Sequence, residues 1–229
     1  MLHKATLVMS VGGSLIAPDG IDLNFLKKFR QAILEYTRRG NRAVIICGGG
    51  SAARAYQRAA KMVSPAVTNR DLDLIGIGAT KLNAELISGI FGSAAHEGIM
   101  ANPGKKISTA KRIIVGAGYL TGSSSDKDAV LSAIAFGART VINLSNITYV
   151  YDKDPSKYRD AKPQPHMSWS AFRRLVGNRW VPGAHVPFDP IAARLASRHR
   201  LTLVVLNGAN IPNLKRFLNS QPFVGTTIQ

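Results

Sequence analysis

Three short stretches place glycine where a strand-like run gives way to a helix or loop: SVGGSL (Ser10–Leu15), CGGGSAAR (Cys47–Arg54) and GYLTGSSSDKDA (Gly118–Ala129). Backbone amides at a helix N-terminus attract anions, and glycine lets a ligand approach them closely. Paired glycines after a strand suit a phosphate. In the third stretch the hydroxyls of Ser123, Ser124 and Ser125, with free amides, can hold a phosphate or the polar edge of a nucleoside, and Asp126 stands as an N-cap. Taken singly, the first reads equally well as an ordinary tight turn and the third as a surface loop; the second is the stronger signal, because a second glycine turn follows a second strand and opens a helix. The second is not a Walker A loop, because no Gly-Lys-Ser/Thr follows, nor is it the G-x-G-x-x-G dinucleotide pattern. It carries a cation, Arg54, one helical turn beyond the glycines.

Two further stretches hold candidate side chains. In NITYVYDKDP (Asn146–Pro155), Tyr151 can stack on a base and Asp154 can accept from a ribose or base; a solvated turn is the plain alternative. In VPFDPIAAR (Val186–Arg194), Asp189 precedes Pro190 and a helical pattern, the local signature of an N-cap with proline at the first helical position. That signature does not exclude an active-site role. The five histidines are scattered without H-x-x-x-H or H-E-x-x-H spacing, so no zinc pattern is present, and the single Cys47 excludes an intrachain disulfide.

The elements that must position these residues follow from periodicity. Apolar strand-like runs lie at Thr6–Ser10, Ala43–Cys47, Ile113–Val115, Val141–Leu144 and Thr202–Leu206. Between the first two, Leu26, Phe29, Ile33 and Tyr36 recur at i, i+3, i+7 and i+10, one face of a helix that Gly40 ends. Further helices are expected at Ser51–Met62, Asp71–Ile90, Asp126–Phe136, Ser168–Val176, Pro190–Arg198 and Ile211–Leu218. Strands alternating with helices predict a mostly parallel sheet covered on both faces, a three-layer α/β architecture. Tyr151–His166 is polar and rich in proline and reads as an excursion from the sheet, a hairpin or lid. Open sheets of this class bind ligands at the carboxyl ends of their strands, where all three glycine turns fall. Several such turns on one edge suggest a ligand, or two ligands, carrying several phosphates.

Length and charge bound the reading. With 229 residues and 45% hydrophobic content, the chain supports one domain, 1–229. No apolar run reaches the roughly 18–20 residues needed to span a bilayer, and the N-terminal stretch reads as a first strand, not a signal peptide. One cysteine fits a reducing cytoplasm. Thirty Lys and Arg against 13 Asp and Glu give a net charge of +17. This excess fits nucleic acid, a small phosphorylated substrate, or a solvated basic surface. The basic pairs are short and dispersed, only 7% of residues are aromatic, and no aromatic-basic interleave occurs, which argues against nucleic acid as the primary partner.

As a set and in order, the motifs resemble the amino-acid-kinase family and, within it, the UMP kinases (uridylate kinases) of archaeal type. The resemblance runs through SVGGSL, GGGSAARAY, DLIGIGATKLNAELI, GYLTGSSSD, YDKDP, FDPIAARL and NLKRFLNSQPFVGTTI, nearly the whole chain. It implies an αβα sandwich, transfer of a phosphoryl group from MgATP to UMP, and a homohexamer. By the same resemblance Gly12, Gly13 and Gly50 approach ATP, with Ser145, Asn146, Tyr151 and Asp154 on its adenosine side. Gly49, Asp73 and Tyr119, Leu120, Thr121, Gly122, Ser123, Ser124 and Ser125 enclose UMP, Asp73 at the ribose. Arg54 stands beside the transferred group and Asp189 near the active site. Magnesium enters with ATP, and no separate metal ligands are implied. The chain departs from the pattern at Ser10, where many members have lysine, at Thr148 and Tyr149, and in the loop at Tyr119, Leu120, Thr121 and Ser123. These departures leave open a non-catalytic nucleotide-binding or storage protein of the same fold, or a kinase for another small anionic acceptor.

Overall fold

A computed structural model describes residues 5–178 and 186–229. It contains a seven-stranded sheet built from β1 (Thr6–Val11), β2 (Arg42–Cys47), β3 (Ile113–Gly116), β4 (Thr140–Ser145), β5 (His166–Met167), β6 (Thr202–Asn207) and β7 (Thr226–Ile228). The order is β3-β2-β1-β4-β6-β7-β5, parallel except where β7 runs against β6. The five expected strands are all present, each extended by a residue or two. β5 and β7, of two and three residues, are too short to give a period.

Alternation in the strands explains the layers. Leu7, Met9 and Val11 on β1 and Ile45 and Cys47 on β2 face one side, where they meet α2 (Leu23–Arg38), α4 (Asn69–Phe91) and α8 (Ile211–Leu218). The intervening Val8, Val44 and Ile46 face the other side, under α5 (Ser125–Phe136), α6 (Trp169–Val176) and α7 (Pro190–Arg198). Sequence-adjacent side chains thus enter opposite cores, as a period of two requires. The face of α2 carrying Leu26, Phe29, Ile33 and Tyr36 is buried as its spacing predicts.

Two helices stand apart from this pattern. α3 (Gly50–Val63) buries only Ala53 and packs along α4. Tyr56, Met62 and Val63 on α3 and Leu74 and Leu82 on α4 are exposed. The stretch Asn69–Ala94 is long and apolar enough, by length and composition alone, to cross a membrane, contrary to the expectation that none is. It also carries Asp71, Asp73, Lys81 and Glu85. The Tyr151–His166 excursion forms a hairpin: Tyr151 pairs antiparallel with Pro163, and Gln164 N–H donates to the Val150 carbonyl at 2.8 Å.

Candidate active site

The parallel register brings the C-terminal ends of β1, β2 and β4 to one edge. Gly12 and Gly13 follow β1 and open the four-residue helix α1 (Gly13–Ile16); Gly48, Gly49 and Gly50 follow β2 and open α3. The two turns touch through bare backbone. A Cβ on Gly13 would lie 2.4 Å from both the Gly48 carbonyl oxygen and the Gly50 nitrogen. One on Gly50, whose φ is +63°, would lie 2.3 Å from the Gly13 carbonyl carbon. The contact excludes a side chain at both positions, and at Gly50 the left-handed backbone disfavours one as well. Gly12 N–H donates to the Leu144 carbonyl at 2.8 Å, which sets Ser145, the last residue of β4, against the same turn.

Arg54 projects from α3 back across this seam and donates from Nη2 to Ser14 Oγ on α1 at 3.1 Å. It is exposed, so its guanidinium is available to an anion lying over the glycines. Cys47, immediately before the turn, is fully buried; burial pushes its thiol up and removes it as a nucleophile.

The loop after β3 is anchored at successive points. Gly118 N–H donates to Thr80 Oγ1 at 2.9 Å, Tyr119 N–H to Asp128 Oδ2 at 3.1 Å, and Gly122 N–H to Asp73 Oδ2 at 2.7 Å. Asn102 Nδ2 donates to the Tyr119 hydroxyl at 3.2 Å. Leu120 and Thr121 at the tip are exposed. Asp73 therefore meets the loop, and one of its carboxylate oxygens is engaged before any ligand arrives.

Behind the loop lies a network of carboxylates. Ser10 Oγ donates to Asp126 Oδ1 at 2.8 Å, and the Asp189 N–H donates to Asp126 Oδ2 at 3.1 Å. Ser124 Oγ donates to Asp189 Oδ2, while Asp189 Oδ1 caps α7 by accepting from the Ile191 and Ala192 amides. Asp189 thus serves as the helix cap its flanking Pro190 signals and as a tie to the loop. Burial pushes Asp126 up to about 6, opposed by its bonds from Ser10 and the Asp189 amide, and pushes Asp128 up to about 6 against its bond from Tyr119 N–H.

One sequence reading needs amendment, and one pair of side chains was missed. Asp126 does not cap α5; Ser124 does, accepting from Lys127 N–H at 3.2 Å, and Asp126 sits in the first turn facing β1. Asp154 is exposed and turned onto its own hairpin, accepting from Ser156 N–H at 2.9 Å and Ser156 Oγ at 2.7 Å, which hold its carboxyl below the usual range. No hydrogen bond or salt bridge joins it to the glycine turns among the described residues. Asn83, buried on α4, donates to the Gly48 carbonyl at 2.8 Å, and Thr80 holds Gly118. Both were legible: Asp73, Gly76, Thr80 and Asn83 fall at i, i+3, i+7 and i+10, a stripe of polar or small residues on one helical face.

The arrangement defines a phosphate-handling site at the carboxyl edge of a mostly parallel sheet, with an anchored loop on one side of interlocked glycine turns and the end of β4 on the other. The chain belongs to the amino acid kinase family, whose model matches residues 5–207. The uridylate kinase of Hyperthermus butylicus is 31% identical over 221 residues, covering 94% of each chain. The crystal structure of uridylate kinase from Archaeoglobus fulgidus superposes with a TM-score of 0.84 at 27% identity, covering 97% of this chain and 99% of that one. The UMP kinase of Bacillus anthracis, 19% identical with a TM-score of 0.75, shares the fold.

Proposed function

We infer that this protein transfers the γ-phosphoryl group of MgATP to UMP, giving ADP and UDP. The observation that carries the reading is the side-chain-free seam between Gly13 and Gly50, flanked by the loop that Asp73 anchors. Two phosphate-bearing ligands meeting end to end need such a seam, and archaeal uridylate kinases are the relatives this chain matches over nearly its full length.

An oxygen of the UMP phosphate attacks the γ-phosphorus in line; the bond to the β–γ bridging oxygen breaks and ADP departs. UMP is already ionised at neutral pH, so the chemistry needs positioning and charge neutralisation more than a strong base. Gly12, Gly13 and Gly50 face the donor phosphates, with Ser145, Asn146 and Tyr151 toward the adenosine; Asp154 shapes that side through its hairpin turn. Gly49, Asp73 and the Tyr119–Ser125 loop face the acceptor, Asp73 offering its second oxygen to the ribose. Arg54, over the seam, offsets charge on the group in flight, and the magnesium that accompanies ATP offsets charge on its phosphates. Asp189 holds the loop through Ser124.

The chain acts as a single catalytic domain that self-associates. The apolar side chains exposed on α3 and α4 support a homo-oligomer, the hexamer of the family resemblance, over a membrane-bound form, because charged residues interrupt the same helix. A cytoplasmic setting accords with the one buried cysteine.

The competing reading, nucleotide binding without turnover, draws on Ser10: it is buried and tied to Asp126, where many family members carry lysine. Separating UDP from UMP after incubation with MgATP decides between them. UDP formation with stoichiometric ADP supports the kinase; tight ATP binding with no UDP supports the storage protein.

A further inference from the structure

The opposite edge of the sheet has no part in phosphoryl transfer, and there the fold gathers cations that are dispersed in sequence. Ala43 pairs with Ile113 and Thr6 with Arg42, so Arg112 lies beside Arg42. Val8 pairs with Val141 and Thr140 with Thr202, which continues the same rung through Thr6 to Arg139 and Leu201. Across β3, β2, β1, β4 and β6 the rung reads Arg112, Arg42, Thr6, Arg139, Leu201. Neighbouring strands lie about 4.8 Å apart, so roughly 14 Å of sheet separates Arg112 from Arg139, and side chains on one rung share a face. Arg200 immediately precedes Leu201. With Arg139 and His199 it lines an open groove of about 420 Å³ beside the ends of α5 and α7.

None of these cations forms a salt bridge among the described residues. Arg42 and Arg112 are steadied by carbonyls, those of Thr109 and Gly40, and not by carboxylates. No Asp or Glu occurs in 36–43, 108–113, 136–141 or 197–202, the segments that form this edge. A cation at a helix C-terminus offsets that helix's dipole. A row running from strand to strand without a carboxylate does more: it offers an extended line of guanidinium groups, the side chain best suited to phosphate oxygens.

We propose that this edge is a second, non-catalytic surface that binds the phosphate backbone of nucleic acid. A row of separated cations matches a chain of phosphates better than one compact anion. The aromatic rings of these segments, Tyr36 and Phe136, are buried, so neither is offered to a base and binding is independent of base sequence. The proposal does not rest on the kinase reading.

Anisotropy of a labelled single-stranded RNA, titrated with the full chain at increasing salt, tests it. Four phosphate contacts predict that log affinity falls with log salt at a slope of about −3. The double variant Arg139→Glu, Arg200→Glu is expected to lose at least about tenfold in affinity and to flatten the slope by about 1.4. Its nucleotide binding and ADP release should be unchanged, which shows that the fold is intact. Four results overturn the proposal: no binding at low salt, equal affinity in the variant, equal competition by poly-glutamate, or displacement of the RNA by MgATP, which would put it in the glycine site.

Discussion

Ser10 on the first strand donates to Asp126 on α5 at 2.8 Å, joining the C-terminal end of β1 to a carboxylate 116 residues away. The hydroxyl can donate to an ionised Asp126 or accept from a protonated one, so the pair survives either charge state. Asp126→Asn mimics the protonated form and keeps partners for both Ser10 and the Asp189 amide. Asp126→Ala leaves both without a partner and is expected to cost about 1–3 kcal/mol. Denaturant unfolding of the two variants measures the contrast; equal losses would remove Asp126 from its bracing role.

The same group makes stability depend on pH. Its folded-state value, about 6, lies above the roughly 3.9 of an unfolded aspartate. Between these values the folded chain holds a proton that the unfolded chain has released, so Asp126 contributes most at low pH and progressively less as pH rises from about 4 to about 6. Asp128 adds in the same direction. Asp126→Asn should therefore gain stability relative to the parent chain across that window and hold a constant advantage above it. A parent-minus-variant difference that is flat from pH 4 to 7 contradicts this.

Much of this architecture could be read from the chain alone, for identifiable reasons. The strands announced themselves because they are apolar on both faces, and the α2 face because its period is uninterrupted. The glycine turns were legible as turns. Their interlocking was not, since it depends on the parallel pairing of Val11 with Cys47 and on nothing local to either turn. Asp126 was mistaken for a cap because Ser124, Ser125 and Asp126 are all good capping types in sequence; only burial against β1 separates their roles. That Asp154 accepts from Ser156 was not legible, because the hairpin turn forms from residues that follow it.

The glycine seam tolerates no side chain. Gly50→Ala imposes both a left-handed alanine, costing roughly 1–2 kcal/mol, and a backbone clash that must shift α1 or α3. Turnover should fall by at least about a hundredfold, with ATP binding weakened in parallel. Gly89→Ala, on α4 with open space around it, serves as the control and should be neutral or stabilising by up to about 1 kcal/mol. Normal kinetics in Gly50→Ala would separate the seam from catalysis.

Arg54 is exposed and, among the described residues, its side chain is bonded only to Ser14, so removing it should leave the fold intact. Arg54→Ala is expected to lower kcat by at least about a hundredfold at unchanged melting temperature. Near-normal turnover would sink its assignment to the transferring group.

Asn102 and Tyr119 should act as one unit on the acceptor. Asn102→Ala and Tyr119→Phe each break the bond that fixes the ring, and each is expected to raise KM for UMP with KM for ATP unaltered. The double variant should be no worse than either single change, a coupling of about 1 kcal/mol. Fully additive losses would show that the two side chains act separately.

ADP release, followed with UMP, dUMP, CMP, AMP or no acceptor in the presence of MgATP, tests the central claim most directly. The account predicts rapid release with UMP, weaker release with dUMP because Asp73 loses a ribose hydroxyl, and background release with AMP or no acceptor. Release that is the same with and without UMP would contradict it.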